Sequence, residues 1–524
     1  MHPLDWTVVW IYLAGLMLLA LYLSRKQASS EDYFLGSHRL SASTLAASTI
    51  ATRCSANSLL GAPAFVGFVA GGGMIWLQYE LAVPLAMLAL LWIMLPARRH
   101  GVTSIYEILE LRIGRRARLT AAGCFLLFRG VATAVTIYGS ALVVSLLLDL
   151  HFVAAVSLIM AATLLYDYFG GLTAVVISDA IQLALLLGAV LFSLIYIGDL
   201  IDWKFFVEDR KQTLVNDWGF GGQDYGFWPM LIGGVFLYAS YYGCDQSQAQ
   251  RILAARSEAD TARVLLWNGI FRFPIVLLYC LLGLGLAALA AQDPLILGSL
   301  PENSSGEKNL NVVFPAFVLN YFEPGFVGLV MVGLIAASMS SIDSALNSLS
   351  AVTVEDFIRP RLSNHTSPAR MLLLGRACTI LWGLFAVVCA FQVENIAPTV
   401  LEAVNKVGSM VNGPLLALIG SAILMKRIPQ TYALTGFAGG LMTNLFFAVY
   451  LPEVSWLWWN VIGFVVALTC IMLGSAFATP APNPTSASAS QQSFQPAANA
   501  PKSYPWILLS QFLIILVVCI ALQW

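Results

Sequence analysis

A face of small and hydroxyl side chains runs along one hydrophobic stretch of the chain, at helical i, i+3, i+4 and i+7 spacing: Ala337, Ser340, Ser341 and Ser344. Asp343 lies at the edge of this face. Hydroxyl and carboxylate oxygens are hard ligands, and hydrocarbon gives them no other partner, so the pattern favours a site for a small hard cation. The alternative is structural: small residues allow helices to pack closely, and hydroxyls bond back to their own helix.

The elements that position these residues are membrane-spanning helices. Of the 524 residues, 59% are hydrophobic and 10% are charged, which is far from the composition of a soluble globular domain. Apolar runs of spanning length recur along the chain and lack the short alternating pattern of a β-barrel. The sequence predicts an all-α polytopic membrane protein with about fourteen transmembrane helices, at 5–24, 44–69, 74–97, 119–148, 152–167, 172–198, 228–244, 264–291, 325–354, 370–392, 398–424, 432–451, 455–475 and 505–523.

The distribution of Lys and Arg predicts the orientation in the membrane. If the N-terminus is outside and the spans alternate, the inner loops hold 19 of the 27 basic residues, the outer loops hold four, and four lie at membrane depth. Such an excess is typical of the cytoplasmic side. We therefore expect both termini outside the plasma membrane, which is the inner membrane in a bacterium. The first span has no cleavage signal and is expected to remain as an anchor.

Other features exclude several functional classes. A net charge of −1 argues against a nucleic-acid partner. The five histidines lie in predicted loops or at membrane edges, whereas an intramembrane haem, quinone or zinc enzyme usually needs imidazoles at depth. The chain has neither a phosphate-binding loop nor an HExxH helix, so ATP-driven pumping is not expected. We therefore expect a protein that is not an enzyme.

A polar run, 49–58, interrupts the second predicted span and contains Arg53; Gly61 and Pro63 follow shortly after it. This composition predicts a helix that is broken at mid-membrane. Unwound backbone at such a break can coordinate a cation, and half-helix ends can face a substrate. The alternative is a kinked helix whose arginine pairs with a nearby carboxylate.

Further ionisable side chains are predicted at membrane depth, where they are costly and therefore candidates for function: Glu80, Arg129, Asp179 and Lys406. Arg272 is predicted near the inner end of its span, where a long side chain can reach water. Arg251 is assigned to an inner loop by the alternation of the spans.

Several motifs occur in the order of one known family. The stretch 339–344, Met-Ser-Ser-Ile-Asp-Ser, followed by 351–356, Ala-Val-Thr-Val-Glu-Asp, resembles the signature of the sodium:solute symporter family. Further similar stretches occur at 32–36, 170–175 with 179–182, 245–246 with 250–255, and 408–409 with 413–414. Each match alone is weak, but together they extend from about residue 30 to 430 and are specific.

The resemblance implies a leucine-transporter-type fold, with two inverted five-helix repeats and extra helices at both ends. The implied divisions are an N-terminal helix and inner loop (1–43), a first repeat (44–198), an outer loop (199–227), a second repeat (228–424), two additional helices (425–475), a flexible inner linker (476–504) and a C-terminal helix (505–524). The linker is also indicated by its Pro-, Ala- and Ser-rich composition.

The resemblance also implies where sodium, the coupling ion, would bind. By position, the first site would comprise the backbone carbonyls of Ala51, Cys54 and Ala337. The hydroxyls of Ser340 and Ser341 would complete it. A second site, which some members have, would comprise Asp179, Ser341, Asp343 and Ser344. The first set agrees with the hydroxyl face that the residue spacing itself indicates.

The substrate region departs from the sugar-transporting members, which have a polar amide and a glutamine where this chain has Arg53 and Ser58. A guanidinium beside a sodium site needs an anion, either Glu80 or the substrate, and arginine grips a carboxylate at two points. We therefore expect a sodium-coupled symporter that imports a small, anionic, carboxylate-bearing organic solute by alternating access. The candidate substrate-binding residues are Arg53, Ser58, Glu80, Arg129 and Asn405.

Two alternatives remain open. The solute is neutral in one of them, such as a sugar, a polyol or an amino acid. The other belongs to a different class, a channel or a sensor derived from a transporter. The expected partners are the solute, sodium ions and the lipid bilayer.

Overall fold

The structure is a computed structural model of the 524-residue chain, and it describes residues 2–25, 30–54, 56–148, 150–205, 217–219, 225–302, 306–362, 367–393, 400–425, 428–477 and 501–523. Every regular element in these ranges is helical, and the β-bridge between Glu302 and Lys308 is isolated. The predicted all-α class is confirmed. The predicted linker at 476–504 lies almost wholly outside the described residues.

The helices of the described residues fall into two sets along the chain. The first set is α1 (Pro3–Ser24), α2 (Ser30–Leu35), α3 (Ala42–Arg53), α4 (Ala56–Gly67), α5 (Ala82–Arg99, preceded by a 3₁₀ stretch, Met74–Leu81), α6 (Glu107–Arg112), α7 (Arg115–Leu148) and α8 (Phe152–Leu200). The second set is α9 (Gly234–Cys244), α10 (Gln246–Leu253), α11 (Glu258–Gln292), α12 (Leu295–Gly298), α13 (Val313–Tyr321), α14 (Phe326–Val352), α15 (Pro368–Ala390), α16 (Val400–Leu424), α17 (Gln430–Tyr450), α18 (Trp456–Phe477) and α19 (Ser503–Gln523). Short π-helical stretches precede α9 and follow α14.

Eleven of the described helical segments are long and apolar enough to cross a membrane. The sequence predicts three more spans than this. The difference arises because α3 and α4 are two short halves of one predicted span, α8 contains two predicted spans, and α9 is short. The number of transmembrane helices therefore stays a prediction, and so do the boundaries of the two repeats.

The second predicted span is broken, as the polar run indicates. α3 ends at Arg53, Cys54 has φ −86° and ψ 57°, and α4 begins at Ala56. The Cys54 amide still donates to the Ile50 carbonyl at 2.7 Å, but the backbone leaves the helical conformation at this residue. Tyr279 of α11 holds the break by donating its hydroxyl to the Cys54 carbonyl at 3.1 Å.

A second break, which the sequence does not predict, lies directly after the seventh predicted span. α9 ends at Cys244, Asp245 is extended with φ −78° and ψ 118°, and α10 begins at Gln246. The Asp245 carboxylate caps α10 by accepting from the Ser247 amide at 2.8 Å and from its hydroxyl at 2.6 Å. An acidic cap suits the positive N-terminal end of a helix. Each predicted repeat therefore contains one broken helix.

α8 folds back on itself at Gly171, whose φ of 57° and ψ of −175° lie in a region that is essentially restricted to glycine. The Tyr166 hydroxyl donates to the Ser178 hydroxyl at 2.7 Å. In a straight helix these residues would be about 18 Å apart, so the two halves of α8 meet beside the turn. The turn also lies between two carboxylates, those of Asp167 and Asp179.

The N-terminal helix is anchored to α14, the helix that carries the hydroxyl face. Asp5 is buried, and its Oδ1 accepts from the amides of Gly325 at 2.6 Å and Gly328 at 2.8 Å. A carboxylate in this position satisfies amides that have no partner within the helix and faces the positive end of the helix dipole. The packing is tight, because a Cβ atom at Gly328 would come within 2.6 Å of Asp5 Cα.

Candidate functional site

The hydroxyl face of α14 lies inside the protein, against the first broken helix. Ser340 and Ser341 are 1% and 5% exposed. The Ser341 hydroxyl has two long contacts of 3.4 Å, to the carbonyls of Thr52 and Ala337. The Ser340 hydroxyl has no hydrogen-bond partner among the described residues. Since a buried hydroxyl without a partner is costly, these oxygens are available to a cation.

The residues of the predicted first sodium site come from two elements that the structure brings together. Ala51 and Cys54 belong to the end of α3 and its break, and Ala337 belongs to α14 with the two serines. The elements are in direct contact, since the hydroxyls of Thr52 and Ser344 are 3.2 Å apart. Backbone carbonyls and hydroxyls at a helix break are the ligands that membrane transporters offer to sodium, so this donor set fits the ion.

Asp179 is fully buried and paired with a guanidinium group. Its Oδ2 accepts from the Ser48 hydroxyl at 2.5 Å and from Arg251 Nη2 at 3.2 Å, whereas its Oδ1 has no partner among the described residues. Asp343 is also fully buried; its Oδ1 accepts from the Ser344 amide at 2.6 Å and its Oδ2 is unpartnered in the same part of the chain. Two carboxylate oxygens of the predicted second sodium set are therefore free.

Arg251 lies inside the protein, and its assignment to an inner loop is wrong. Its exposure is 0%, because the second broken helix carries it to the buried acids. Besides Asp179, it donates from Nε to the Ser48 hydroxyl at 2.7 Å, from Nη1 to the Ser247 carbonyl at 2.5 Å and from Nη2 to the Ser344 hydroxyl. The signal that could have found it is the pair of carboxylates at depth, which need a cation.

The Arg53 side chain lies among aromatic rings. Its guanidinium carbon is 4.7 Å from the ring centre of Tyr241 and 5.4 Å from that of Tyr238. Nη2 donates to Asn405 Oδ1 at 2.8 Å, and Nε has no partner among the described residues. Within the described ranges no carboxylate lies at ion-pair distance from Arg53. Its charge is therefore stabilised by cation–π contacts and one amide.

Glu80 pairs with Arg272 and not with Arg53. Its Oε2 lies 2.9 Å from Arg272 Nε and its Oε1 lies 3.1 Å from Nη2, while Tyr238 donates to Oε1 at 2.9 Å. Arg272 is 4% exposed, so the prediction that it reaches water is wrong. The alternative in which Glu80 neutralises Arg53 is wrong as well. A buried arginine takes such a two-point partner because an unpaired charge in the interior costs several kcal/mol.

Arg53 lines a cavity of about 40 Å³ between the two broken helices, α7 and α16. Its polar lining is Arg53, Arg129, Tyr241, Asp245, Asn405 and Asn412, and its apolar lining includes Phe125, Phe128 and Leu237. Arg129 pairs with Asp245 at 3.4 Å. Three of the five predicted substrate residues are therefore at the cavity: Arg53, Arg129 and Asn405.

The other two predicted substrate residues have structural contacts. The Ser58 hydroxyl donates to the Arg53 carbonyl at 3.0 Å, and Glu80 holds Arg272. Asp245, Tyr241 and Asn412 line the cavity but are not among the substrate-binding residues that the sequence predicts. For Asp245 the signal is an acidic residue at the end of an apolar span, whereas Tyr241 and Asn412 resemble ordinary residues of buried helices.

Comparison with known proteins agrees with this arrangement. The sequence model of the sodium:solute symporter family matches residues 33–440. The chain belongs to this family. It is therefore a multi-pass membrane protein from a family of sodium-coupled secondary transporters and not of enzymes, which confirms sodium as the coupling ion and a small solute as the partner.

Individual relatives are similar over most of the chain. The human sodium/iodide cotransporter is 27% identical over 81% of this chain, which spans 66% of that relative. The sodium/sialic acid symporter NanT of Aliivibrio fischeri is 27% identical over 84% of this chain and 87% of its own length. The mouse sodium-coupled monocarboxylate transporter 1 is 28% identical over 84% of this chain and 73% of its own length.

Solved structures show the same fold. A substrate-bound, outward-open Na⁺-coupled sialic acid symporter superposes with a TM-score of 0.81 at 24% identity, over 91% of this chain and 99% of that one. A nucleobase-cation-symport-1 family transporter in a closed conformation superposes with a TM-score of 0.57 at 15% identity, over 85% of this chain and 95% of that one. The chain therefore has the leucine-transporter-type fold that the resemblance implies.

Proposed function

We propose that this symporter imports a small, carboxylate-bearing organic anion together with sodium, by alternating access. The observation that carries the proposal is the Arg53 guanidinium, which lines the cavity and has no carboxylate partner among the described residues. A buried cation without a counter-ion costs several kcal/mol, and an anionic solute supplies that counter-ion. The names of the relatives support an anion, since they specify iodide, sialic acid and monocarboxylates.

The rest of the cavity favours an organic anion over a bare ion. The guanidinium group presents a planar fork that matches the two oxygens of a carboxylate. Phe125, Phe128 and Leu237 form an apolar wall of the cavity, and Asn405, which accepts from Arg53, and Asn412 add amides to its lining. The cavity of about 40 Å³ holds only a few water molecules, so the solute enters when the lining residues move apart, as alternating access requires. A carboxylate on Arg53 with its carbon skeleton against the apolar wall satisfies both parts of the lining.

For sodium, we propose the two predicted sets of ligands. The first is Ala51, Cys54 and Ala337 through their carbonyls, with the hydroxyls of Ser340 and Ser341. The second is Asp179, Ser341, Asp343 and Ser344, of which the Ser344 hydroxyl is bonded to Arg251 in this conformation. The unpartnered oxygens of Ser340, Asp179 and Asp343 support both sets.

The transport cycle follows from where these groups lie. Sodium between the end of α3 and α14 would fix the first broken helix next to the cavity, because its ligands come from both elements, and would thereby order Arg53 for the solute. Rocking of the broken helices would then separate α3 from α14 and release the ion. A tenfold sodium gradient supplies about 1.4 kcal/mol per ion, and a potential of 100 mV adds about 2.3 kcal/mol per charge.

The proposed orientation places both termini outside the plasma membrane. The excess of Lys and Arg in alternate loops supports it, although Arg251 no longer belongs to that excess. Asp5 supports the alternation of the spans, since a carboxylate that caps α14 from the first turn of α1 puts the starts of the first and ninth predicted spans at one membrane face.

The test is uptake of radiolabelled carboxylates, sugars, amino acids and nucleosides into proteoliposomes, with and without a sodium gradient. We expect sodium-dependent uptake of a carboxylate. Arg53→Lys should raise its KM at least tenfold, because an ammonium group cannot reproduce the two-point contact. The matched control is Arg263→Lys, at an exposed position outside the cavity, which should leave the KM unchanged.

Two results would count against the anion. One is accumulation of a neutral solute in preference to every carboxylate of the panel. The other is an unchanged KM in Arg53→Gln. Either result would move the function to the neutral alternative, a sugar, polyol or amino acid. Sodium-independent equilibration of the solute would instead indicate a channel.

A further inference from the structure

An apolar groove of about 400 Å³ lies where α3, α8 and α11 meet, and its described lining residues differ from those of the Arg53 cavity. Eleven of the twelve lining residues are apolar, and the exception is Ser43. Leu191 and Phe271 of the lining are 43% and 52% exposed, so the groove is open at the surface of the helix bundle. In a membrane-spanning protein this surface meets lipid hydrocarbon.

Each wall of the groove is one face of a helix. α3 contributes four residues at i, i+3, i+4 and i+7 spacing within 43–50, α8 contributes three leucines at i, i+4 and i+8 spacing within 183–191, and α11 contributes five residues within 267–278. The three helices belong to the second, sixth and eighth predicted spans, which cross the membrane in the same direction. The groove therefore follows the direction in which lipid chains lie.

The groove lies behind α3, away from the proposed sodium ligands. Ser48 and Thr52 lie about 160° around the helix from Ile50, which lines the groove. Their hydroxyls contact those side chains of the second proposed sodium set that face α3, Asp179 at 2.5 Å and Ser344 at 3.2 Å. The groove is therefore a site of its own.

The dimensions of the groove fit a single acyl chain. Its lining on α11 extends from Trp267 to Leu278, which is about 16 Å of helix. The hydrocarbon of one bilayer leaflet is about 15 Å thick. The volume divided by this length gives a cross-section of about 25 Å², whereas a helix about 10 Å in diameter needs about 80 Å². The groove is therefore too narrow for a helix of a second copy or of another membrane protein.

The mouth of the groove carries positive charge. α3 and α11 both start at the inner membrane face in the proposed orientation, so Ser43 and Trp267 lie close to the headgroup region. Arg39 is exposed just before α3, and its carbonyl accepts from Nε of Arg256, also exposed, at 3.0 Å. Guanidinium groups at this position attract the headgroup of an anionic lipid.

We propose that the groove holds one acyl chain of an anionic phospholipid from the inner leaflet. The headgroup lies beside Arg39 and Arg256, and the chain runs between α3, α8 and α11 toward the middle of the membrane. The site goes beyond the proposed transport function, because it takes lipid and shares no residue with the proposed solute or sodium sites. A chain there packs against α3, the helix that moves in the proposed cycle.

The test is native mass spectrometry of the full-length protein in detergent, after removal of lipid and addition of equal amounts of phosphatidylglycerol and phosphatidylcholine. The wild type should retain one phosphatidylglycerol per chain. Ala47→Phe fills the groove from α3 and should lower this occupancy at least fivefold. The matched control is Ala14→Phe, at an exposed position on α1, which should retain the lipid. Thermal unfolding checks that each variant is folded.

Two further variants complete the test. Leu187→Trp fills the groove from α8 and decides the matter if Ala47→Phe does not fold. Arg39→Gln removes one charge at the mouth and should abolish the preference for phosphatidylglycerol. Equal lipid retention in the groove-filling and control variants would overturn the inference. So would a wild type that retains both lipids equally, that holds only detergent, or that forms a dimer which Ala47→Phe disrupts.

Discussion

Two guanidinium groups share the ring of Tyr238. The Arg272 carbon is 4.9 Å from the ring centre and the Arg53 carbon is 5.4 Å from it. Glu80 neutralises Arg272 through two hydrogen bonds, whereas among the described residues no carboxylate does so for Arg53. The same side-chain type is therefore structural at one position and free to bind a solute at the other.

The Glu80–Arg272 pair should contribute strongly to stability. Glu80→Gln is expected to lower the free energy of unfolding by about 3–5 kcal/mol, because it leaves Arg272 buried without its counter-ion. Chemical unfolding of the purified protein in detergent measures the change. The double variant Glu80→Gln with Arg272→Gln should be less destabilised than the single one, since it leaves no unpaired charge. A single variant as stable as the wild type would contradict this account.

Ser340 and Ser341 should determine the affinity for sodium. Replacing both with alanine removes two ligand hydroxyls, so the sodium concentration for half-maximal uptake is expected to rise more than tenfold. The matched control is Ser338→Ala on the same helix, whose hydroxyl donates to its own Leu334 carbonyl at 2.8 Å and should have no effect on sodium. Unchanged sodium dependence in a well-folded double variant would exclude these hydroxyls as ligands.

At the scale of helices, the first break is visible in the sequence and the second is not. The polar run around Arg53 weakens an apolar helix locally, and that signal is continuous in sequence. The break at Asp245 depends on distant partners: the Tyr106 hydroxyl donates to the Cys244 carbonyl at 2.7 Å, and the Ile105 amide donates to Gln246 Oε1 at 3.0 Å. These partners are 138 and 141 residues away in the sequence, so no local sequence pattern predicts the contacts.

The turn of α8 should tolerate only glycine. Gly171→Ala is expected to destabilise the protein by about 1–3 kcal/mol, because a side chain opposes the backbone conformation at this position. It should also weaken sodium binding, since the second half of α8 carries Asp179, a residue of the proposed second sodium site. The control is Gly188→Ala in the same helix, where a Cβ atom would meet nothing within 4 Å. Thermal unfolding and sodium titration measure both effects, and equal results for the two variants would refute the special role of the turn.

Across the whole molecule, three ion pairs within the spanning region each join the first predicted repeat to the second: Glu80–Arg272, Asp179–Arg251 and Arg129–Asp245. The Arg53–Asn405 hydrogen bond makes a fourth such link. Either repeat alone would expose unpaired charges at membrane depth, which is costly. These charged groups therefore link the two predicted repeats to each other.

This arrangement explains which parts of the site the sequence could predict. Composition and apolar runs are sufficient for the helical membrane class, and the cost of burying charge identifies Arg53, Glu80 and Asp179 as important. The hydroxyl face lies on one continuous helix, so the spacing of its residues in the sequence is enough to predict it. The partner of each charged side chain cannot be predicted from the sequence. Glu80 and Arg272 are 192 residues apart, and more than one pairing of the buried charges would neutralise them.

The contact of Asp5 with the start of α14 also bears on how the protein is made. Asp5 is synthesised 320 residues before Gly325, and its carboxylate accepts a hydrogen bond from the Gly325 amide. At roughly 5–20 residues per second, α1 waits about 16–64 s for this partner while the ribosome completes the intervening helices. Until then its carboxylate depends on water at the membrane face. α1 therefore reaches its final place only after α14 has been synthesised.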